Sequence, residues 1–349
     1  MSGDFSVIEG EYLQDILDQP RALDETLAGL ETPKNLHQLA GRLQKGRFKT
    51  VVLTGMGSSF HGLHPLYLEL IHAGFNATMV ETSELIHHQG QLFDSRNLVV
   101  AVSQSGQSVE VVRLLQSNRG RSPIIGVTNT PDSPLAKNAA ACVVTRAGKE
   151  YSVSCKTYVC TLMALRWLSD VLCERDLRRS RRELKDAGVS VGTYLSAWKE
   201  HVQRLSLRLR DIRQLFLAGR GSSLAAVGTG ALIIKEADHF PAEGMSSAAF
   251  RHGPFEMIGN ETFVCVFAGE PKTRELNRGL LQDVQENQGE AEWIGDDSEF
   301  PPFLLPQAQR SVAPILEILP PQMITLALAA QVGREPGRFS LCSKVTTKE

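Results

Sequence analysis

The sequence predicts an α/β chain built from two tandem, doubly wound parallel-sheet domains, with an N-terminal helical segment and a C-terminal tail. Three observations predict it. A glycine-rich turn occurs twice, an apolar run precedes each copy, and strands then alternate with helix-compatible segments. Leu53-Thr54-Gly55-Met56-Gly57-Ser58-Ser59 returns as Leu217-Ala218-Gly219-Arg220-Gly221-Ser222-Ser223, 164 residues later in a chain of 349. That offset is about half the chain. It is too long for a solenoid repeat and suits a duplicated domain, in line with roughly 150 residues per domain.

Residues 11–43 read as two helices separated by Glu31-Thr32-Pro33, so 1–44 form a helical segment. Thr50-Val51-Val52-Leu53 is a strand ending in the first glycine turn. Asn97 to Val102 is the next strand, closed by the polar turn Ser103-Gln104-Ser105-Gly106-Gln107-Ser108. A helix then starts at Gln107 or Ser108, with Val109, Val112 and Leu115 at helical spacing. Pro123 to Thr128 is a further strand before the loop 129–134. The charged stretch 174–186 reads as a solvated linking helix, which closes a first domain at 45–185. In the second domain, 195–335, strands fall at 215–218 and 262–268 and helices start near Leu224 and Thr273. The tail is 336–349.

Composition narrows the function. Thirty-seven Lys and Arg face 39 Asp and Glu, a formal net charge of −2. Without a basic block the chain is not built to coat nucleic acid or an anionic membrane. An anionic ligand must therefore be held by a local site. The six cysteines, Cys142, Cys155, Cys160, Cys173, Cys265 and Cys342, form no CxxC pair. They read as reduced, buried, small hydrophobes of a cytoplasmic protein, and no zinc or other metal site is expected. The acidic, polar start Met1-Ser2-Gly3-Asp4-Phe5 is not a signal peptide. No apolar run reaches the ~18 residues that span a bilayer, and 323–332 reads as a buried helix.

Ligands of parallel α/β folds bind beyond the carboxyl ends of the strands. Gly55-Met56-Gly57-Ser58-Ser59 lies there. Its glycines admit a ligand to the backbone, Ser58 and Ser59 offer hydroxyls, and a helix N-terminus adds about half a positive charge. Ser103, Gln104, Ser105 and Ser108 supply a second ring of donors. Taken alone, each turn reads more simply as a tight turn with a helix cap. A dinucleotide site is disfavoured because Gly55, Gly57 and Gly62 miss the GxGxxG spacing, and no Gly-Lys-Ser/Thr phosphate loop exists. In the second half, Glu236 follows the apolar run 230–234 and could serve as a base, although a Lys235-Glu236 pair on a solvated face is the plainer reading. His252 sits in the rigid turn Arg251-His252-Gly253-Pro254, where a structural histidine is the plainer reading.

Together Gly55-Met56-Gly57-Ser58-Ser59, Ser103-Gln104-Ser105-Gly106, Lys235-Glu236 and Arg251-His252-Gly253-Pro254 resemble the double-SIS (sugar isomerase) family. The likeness is to the isomerase half of glucosamine-6-phosphate synthase and to stand-alone aminosugar-phosphate isomerases, deaminases and fructosamine-6-phosphate deglycases. It covers nearly the whole chain. Residues 13–23, with Asp18-Gln19-Pro20, resemble the family's leading helix, and Val312-Ala313-Pro314-Ile315 through Gln322 resemble its C-terminal helix.

The resemblance implies roles residue by residue. Gly57, Ser58, Ser59, Ser103, Gln104, Ser105, Ser108 and Val153 fall where the family binds sugar phosphate. Glu236 falls at the enolisation base that moves a proton between C1 and C2. His252 falls at the ring-opening histidine, which in the family reaches a neighbouring subunit, so a homodimer is implied. Lys344 falls at the tail lysine, which assists ring opening or forms an imine. Three departures refine this. The first cysteine is Cys142, so the synthase's N-terminal glutamine-hydrolysing cysteine has no counterpart, and glutamine-dependent synthesis by this chain alone is not expected. Ile233 stands where the synthase carries another lysine, which favours altered chemistry. The loop 150–157 is one residue shorter than the family's sugar-contacting loop, which bears on Val153 and Lys156. The resemblance thus implies an aminosugar-phosphate deaminase/isomerase acting on a hexose or aminohexose 6-phosphate without a cofactor. A fructosamine-6-phosphate deglycase is the alternative, and a non-catalytic sugar-phosphate regulator is the alternative of another class.

Overall fold

The computed structural model describes residues 5–341 and 344–346. The chain divides into two compact units, one comprising residues 21–149, 156–186 and the tail residues 344–346, the other residues 5–20, 150–155 and 187–341. Each is built on one parallel sheet.

The first sheet contains β1 (Thr50–Gly55), β2 (Ala77–Glu81), β3 (Asn97–Val102), β4 (Ile124–Thr128) and β5 (Ala141–Val144), in the order β2-β1-β3-β4-β5. All of its pairings are parallel. Strands covered on both faces read as continuous apolar runs, and every residue of β3 and β4 is buried. One face packs Val52, Val99, Ala101 and Ile124 against Val111, Leu114 and Leu135. Burying each Val or Leu fully contributes about 2 kcal/mol.

The second sheet contains β6 (Gln214–Gly219), β7 (Ala242–Ser246), β8 (Thr262–Phe267) and β9 (Glu290–Ile294), in the order β7-β6-β8-β9, again all parallel. The order repeats that of the first four strands of the first sheet, so the duplication read from one heptapeptide extends to the whole topology. Its core places Phe216, Val264 and Val266 against Phe250, Leu280 and Trp293.

The amino-terminal segment differs from the expected pair of helices. It forms three, Glu11–Leu17, Gln19–Gly29 and Lys34–Gln44. The additional break falls at Asp18, whose backbone N–H donates to Gln14 O and Ile16 O as a helix cap. Gln19 lies just after the break and is fully buried. Its Nε2 donates to Gln322 Oε1 at 2.8 Å and Gln322 Nε2 donates back to Gln19 Oε1 at 3.2 Å. The two segments quoted for the family resemblance therefore meet inside the second-sheet unit. Tyr12 is buried there too, its hydroxyl 3.1 Å from Thr325 Oγ1.

Two further expectations change. The charged linker becomes the helix Leu177–Leu195, in which Leu184, Ala187 and Val191 are buried, so one face of it is core rather than solvated. Residues 310–332 form a helical stretch long and apolar enough to cross a membrane by length and composition, where no such run was expected. Its most apolar window is 94% buried within the protein, which makes it a core element.

Candidate functional site

The pocket of the first-sheet unit is assembled from turns at the carboxyl ends of neighbouring strands and from the tail. β1 ends in Gly55, and Gly57 adopts φ 53°, ψ −127° before the short helix Ser58–His61. A side chain is strained in that backbone, which accounts for glycine there. β3 ends in Val102, and the turn 103–108 leads into the helix Val109–Asn118. Gly106 has φ +63°, and a Cβ on it would lie 2.2 Å from Ser133 Oγ and 2.8 Å from Thr128 Oγ1. Only glycine lets this turn close.

The serines of the turn are preset as donors. Ser103 Oγ accepts the Gly106 N–H at 3.1 Å, and Ser105 Oγ accepts the Gln107 N–H at 3.3 Å. A hydroxyl that accepts from the backbone keeps its own O–H to donate. Ser108 is the N-cap of the helix Val109–Asn118, and its side chain makes no capping bond. That hydroxyl is directed by no helix amide.

These residues surround a pocket of about 140 Å³ lined by Ser59, Ser103, Gln104, Ser105 and Ser108 together with Met56, Thr82, Val102, Glu110, Val111, Lys344, Val345 and Thr346. The pocket is large enough for several water-sized groups, so a phosphate fits. The tail is fixed beside it, because the Val109 N–H donates to Thr346 O at 3.2 Å. Five of the residues expected to hold phosphate thus share one pocket with the expected tail lysine. Gly57 and Ser58 belong to the same turn but are not among the lining residues.

Glu236, His252 and Val153 belong to the second-sheet unit. Glu236 is half-buried near the end of the helix Leu224–Asp238, with Lys235 exposed beside it. The neighbouring Tyr12 hydroxyl is held well above its ordinary pKa, first by burial, then by the Cys155 thiol, with Asp238 and Glu236 adding to it. Asp238 is itself raised, by burial in the first place, while the Arg334 charge opposes the shift. His252 is exposed at the end of the helix Ser247–Arg251. The Val153 side chain is buried at 1% exposure. Any contact it makes with a ligand is through its backbone.

Sequence reasoning missed Thr82 and Glu110. Thr82 Oγ1 lies 3.0 Å from Thr54 Oγ1 on β1, a contact between segments 28 residues apart. Glu110 sits in the first turn of the helix Val109–Asn118, whose buried face is Glu110, Val111, Leu114 and Asn118. The expected stripe Val109, Val112, Leu115 is rotated from that face by one residue. Five of the six cysteines are described and all are free. Burial raises the Cys142 thiol to about 11. Cys342 lies outside the described residues. Among the described residues no group of three or more His, Cys, Asp or Glu is placed to hold a metal ion.

The second copy of the glycine turn is filled. Ser223 Oγ donates to Glu317 Oε1 at 2.7 Å, and a Cβ on Gly221 would meet Glu270 Oε1 at 3.1 Å. Glu270 pairs with Arg310 and, at 3.3 Å, with Lys272. Burial pushes the Glu317 carboxyl up to about 7, against the Ser223 hydrogen bond.

Comparison with known proteins agrees with this architecture. The chain is 28% identical to the glutamine–fructose-6-phosphate aminotransferase (isomerizing) of Pyrococcus horikoshii over 97% of its own length and 57% of that protein's. It therefore spans little more than half of the curated relatives it matches. Among solved structures, the C-terminal domain of glucosamine-fructose-6-phosphate aminotransferase from Francisella tularensis superposes with a TM-score of 0.82 at 20% identity, covering 96% of this chain and 100% of that one. Glucosamine-6-phosphate deaminase from Thermotoga maritima superposes with a TM-score of 0.79 at 18% identity, covering 97% and 100%. At these identities the two structures speak for the fold. The SIS domain profile matches residues 47–169 and 208–296, more than half of the sequence, and the chain belongs to the SIS domain family.

Proposed function

We propose that the chain is a phosphosugar isomerase that acts as an aminosugar-phosphate deaminase on a glucosamine-6-phosphate-like substrate. The observation that carries this reading is a pocket lined by Ser59, Ser103, Ser105 and Ser108 together with Lys344. The names of the relatives, an isomerising aminotransferase and a glucosamine-6-phosphate deaminase, support the substrate class.

In this reading the hydroxyls and the amino end of the helix Val109–Asn118 hold the phosphate. Binding energy is then gained away from the reacting carbons. Lys344 and His252 assist opening of the hemiacetal. Glu236 removes the proton from C2 and returns it to C1, which converts the 2-amino aldose into a C2 imine. Water adds to the imine, ammonia leaves, and the ketose phosphate remains. His252 serves a neighbouring subunit, so the working form is a homodimer.

Incubation of the purified protein with glucosamine 6-phosphate should release ammonia and fructose 6-phosphate in equal amounts. Turnover of fructosamine 6-phosphates alone would make it a deglycase, and turnover of neither would remove the enzymatic reading. Mixing inactive Glu236→Gln and His252→Ala proteins should restore activity if the histidine works across the dimer. No recovery would place both residues in one subunit's site.

A further inference from the structure

Thr54 and Thr82 form a hydroxyl pair beside the pocket of the first-sheet unit, and the protein itself satisfies only one of the two. Thr54 lies near the end of β1, in register with Val80 of β2 and Ala101 of β3. Residues two apart on a strand share a face, so Thr54 lies in the same layer as Val52. That layer is apolar and contains Val80, Ala101, Val111 and Leu114. Thr54 is 0% exposed, and Thr82, the first residue after β2, is 3% exposed. Their Oγ1 atoms lie 3.0 Å apart, and among the described residues neither hydroxyl has another hydrogen bond.

A hydroxyl has one proton to give, and a bond between two hydroxyls uses the proton of one of them. If Thr82 gave its proton to Thr54, the Thr54 proton would be left in an apolar layer with no acceptor and no water. An orphaned buried donor costs more than an ordinary hydrogen bond gains. Thr54 therefore donates and Thr82 accepts, which leaves the Thr82 proton in need of an acceptor. Thr82 lines the pocket, and Thr54 is not among the lining residues. The acceptor for Thr82 thus comes from the pocket.

We propose that Thr82 is a ligand-binding residue that donates its hydroxyl proton to an oxygen of the bound phosphosugar, with Thr54 as the positioning residue that turns this proton into the pocket. The inference rests on the phosphosugar reading and adds to it a donor from a further strand. Ser59 follows β1, and Ser103, Ser105 and Ser108 follow β3, whereas Thr82 follows β2 on the other side of β1. The arrangement repeats that of Ser103 and Ser105, whose oxygens accept from backbone amides and keep their protons to donate. A phosphate oxygen and a sugar hydroxyl can both accept from Thr82, and two probes separate them.

The test is a calorimetric titration of the full-length protein with inorganic phosphate and with glucitol 6-phosphate, which cannot isomerise because C1 is an alcohol. Wild type, Thr54→Val, Thr82→Val and the double variant are compared, with a thermal melt beside each titration. Thr82→Val should weaken glucitol 6-phosphate by about tenfold. An equal loss for inorganic phosphate assigns the bond to a phosphate oxygen, and a loss confined to glucitol 6-phosphate assigns it to the sugar. Thr54→Val should cost less affinity than Thr82→Val, because the Thr82 hydroxyl remains. The double variant has no orphaned hydroxyl, so it should melt higher than Thr82→Val without regaining affinity. A purely structural pair would regain both together, and that result overturns the inference. So does a Thr82→Val protein that binds glucitol 6-phosphate within about twofold of wild type, or a larger loss from Thr54→Val than from Thr82→Val; in each case wild-type binding leaves the phosphosugar reading standing. If the wild type binds neither probe, the phosphosugar reading falls and takes this inference with it.

Discussion

The two glycine turns are close copies in sequence and opposites in content. The first closes over an open pocket ringed by hydroxyls, and the second closes over carboxylates of its own chain. The divergence lies just beyond the neighbouring strand of each sheet. Three residues beyond β3 stands Ser105, and three residues beyond β8 stands Glu270. A serine leaves room for an external anion, whereas Glu270 with its partner Arg310 supplies an internal one. Glu317 adds a second carboxylate on Ser223, the counterpart of Ser59. The same turn sequence thus borders an open pocket in one unit and carboxylates of the chain itself in the other.

The comparison can be broken most sharply at Lys344. Lys344→Met should lower turnover of glucosamine 6-phosphate by about a hundredfold or more while phosphosugar binding persists. Steady-state kinetics beside a titration separates the two, and unchanged turnover would exclude the tail lysine from the chemistry. The next largest effect belongs to the filled turn. In the folded protein Glu317 titrates at about 7, above its ordinary 4.5. Between those values the folded chain holds a proton that the unfolded chain has lost. Its contribution to stability therefore falls as pH rises through that window, by about 3 kcal/mol in all. Glu317→Gln should flatten this dependence, gaining on the wild type towards pH 8. Denaturant melts from pH 5 to pH 8 would show it, and parallel curves would refute it.

Gly106→Ala tests the open turn. Positive φ together with the approach of Ser133 should cost about 2 kcal/mol and abolish phosphosugar binding, read by thermal melting and titration. Arg310→Met should have the smallest effect, below about 1 kcal/mol. The arginine side chain is 57% exposed, and Lys272 remains beside Glu270. A larger loss in melts would mean that Arg310 holds the filled turn together.

The legible part of this protein was local in sequence. Strand, turn and helix succeed one another within a few residues, so the repeated heptapeptide and the Ser103–Ser108 turn announced both sheets and the serines that line the pocket. What stayed hidden depended on long separations or on one step of rotation. Ser223 and Glu317 are 94 residues apart, and nothing in either neighbourhood declares the other. Gln19 and Gln322 are separated by 303 residues, so their amide pair could be suspected only through family resemblance. Glu110 was overlooked because the apolar spacing of Val109, Val112 and Leu115 pointed one residue away from the true buried face. A glutamate on a core face runs against hydrophobic patterning, and such exceptions are where function tends to lie.

The bond from the Val109 N–H to Thr346 O has a consequence for how the protein is made. The tail residues at the pocket come after every strand and helix described in the chain, so they leave the ribosome after both sheets. Both sheets can form before the pocket is complete. A chain stopped just short of Lys344 would fold, pass as sound, and lack the lysine.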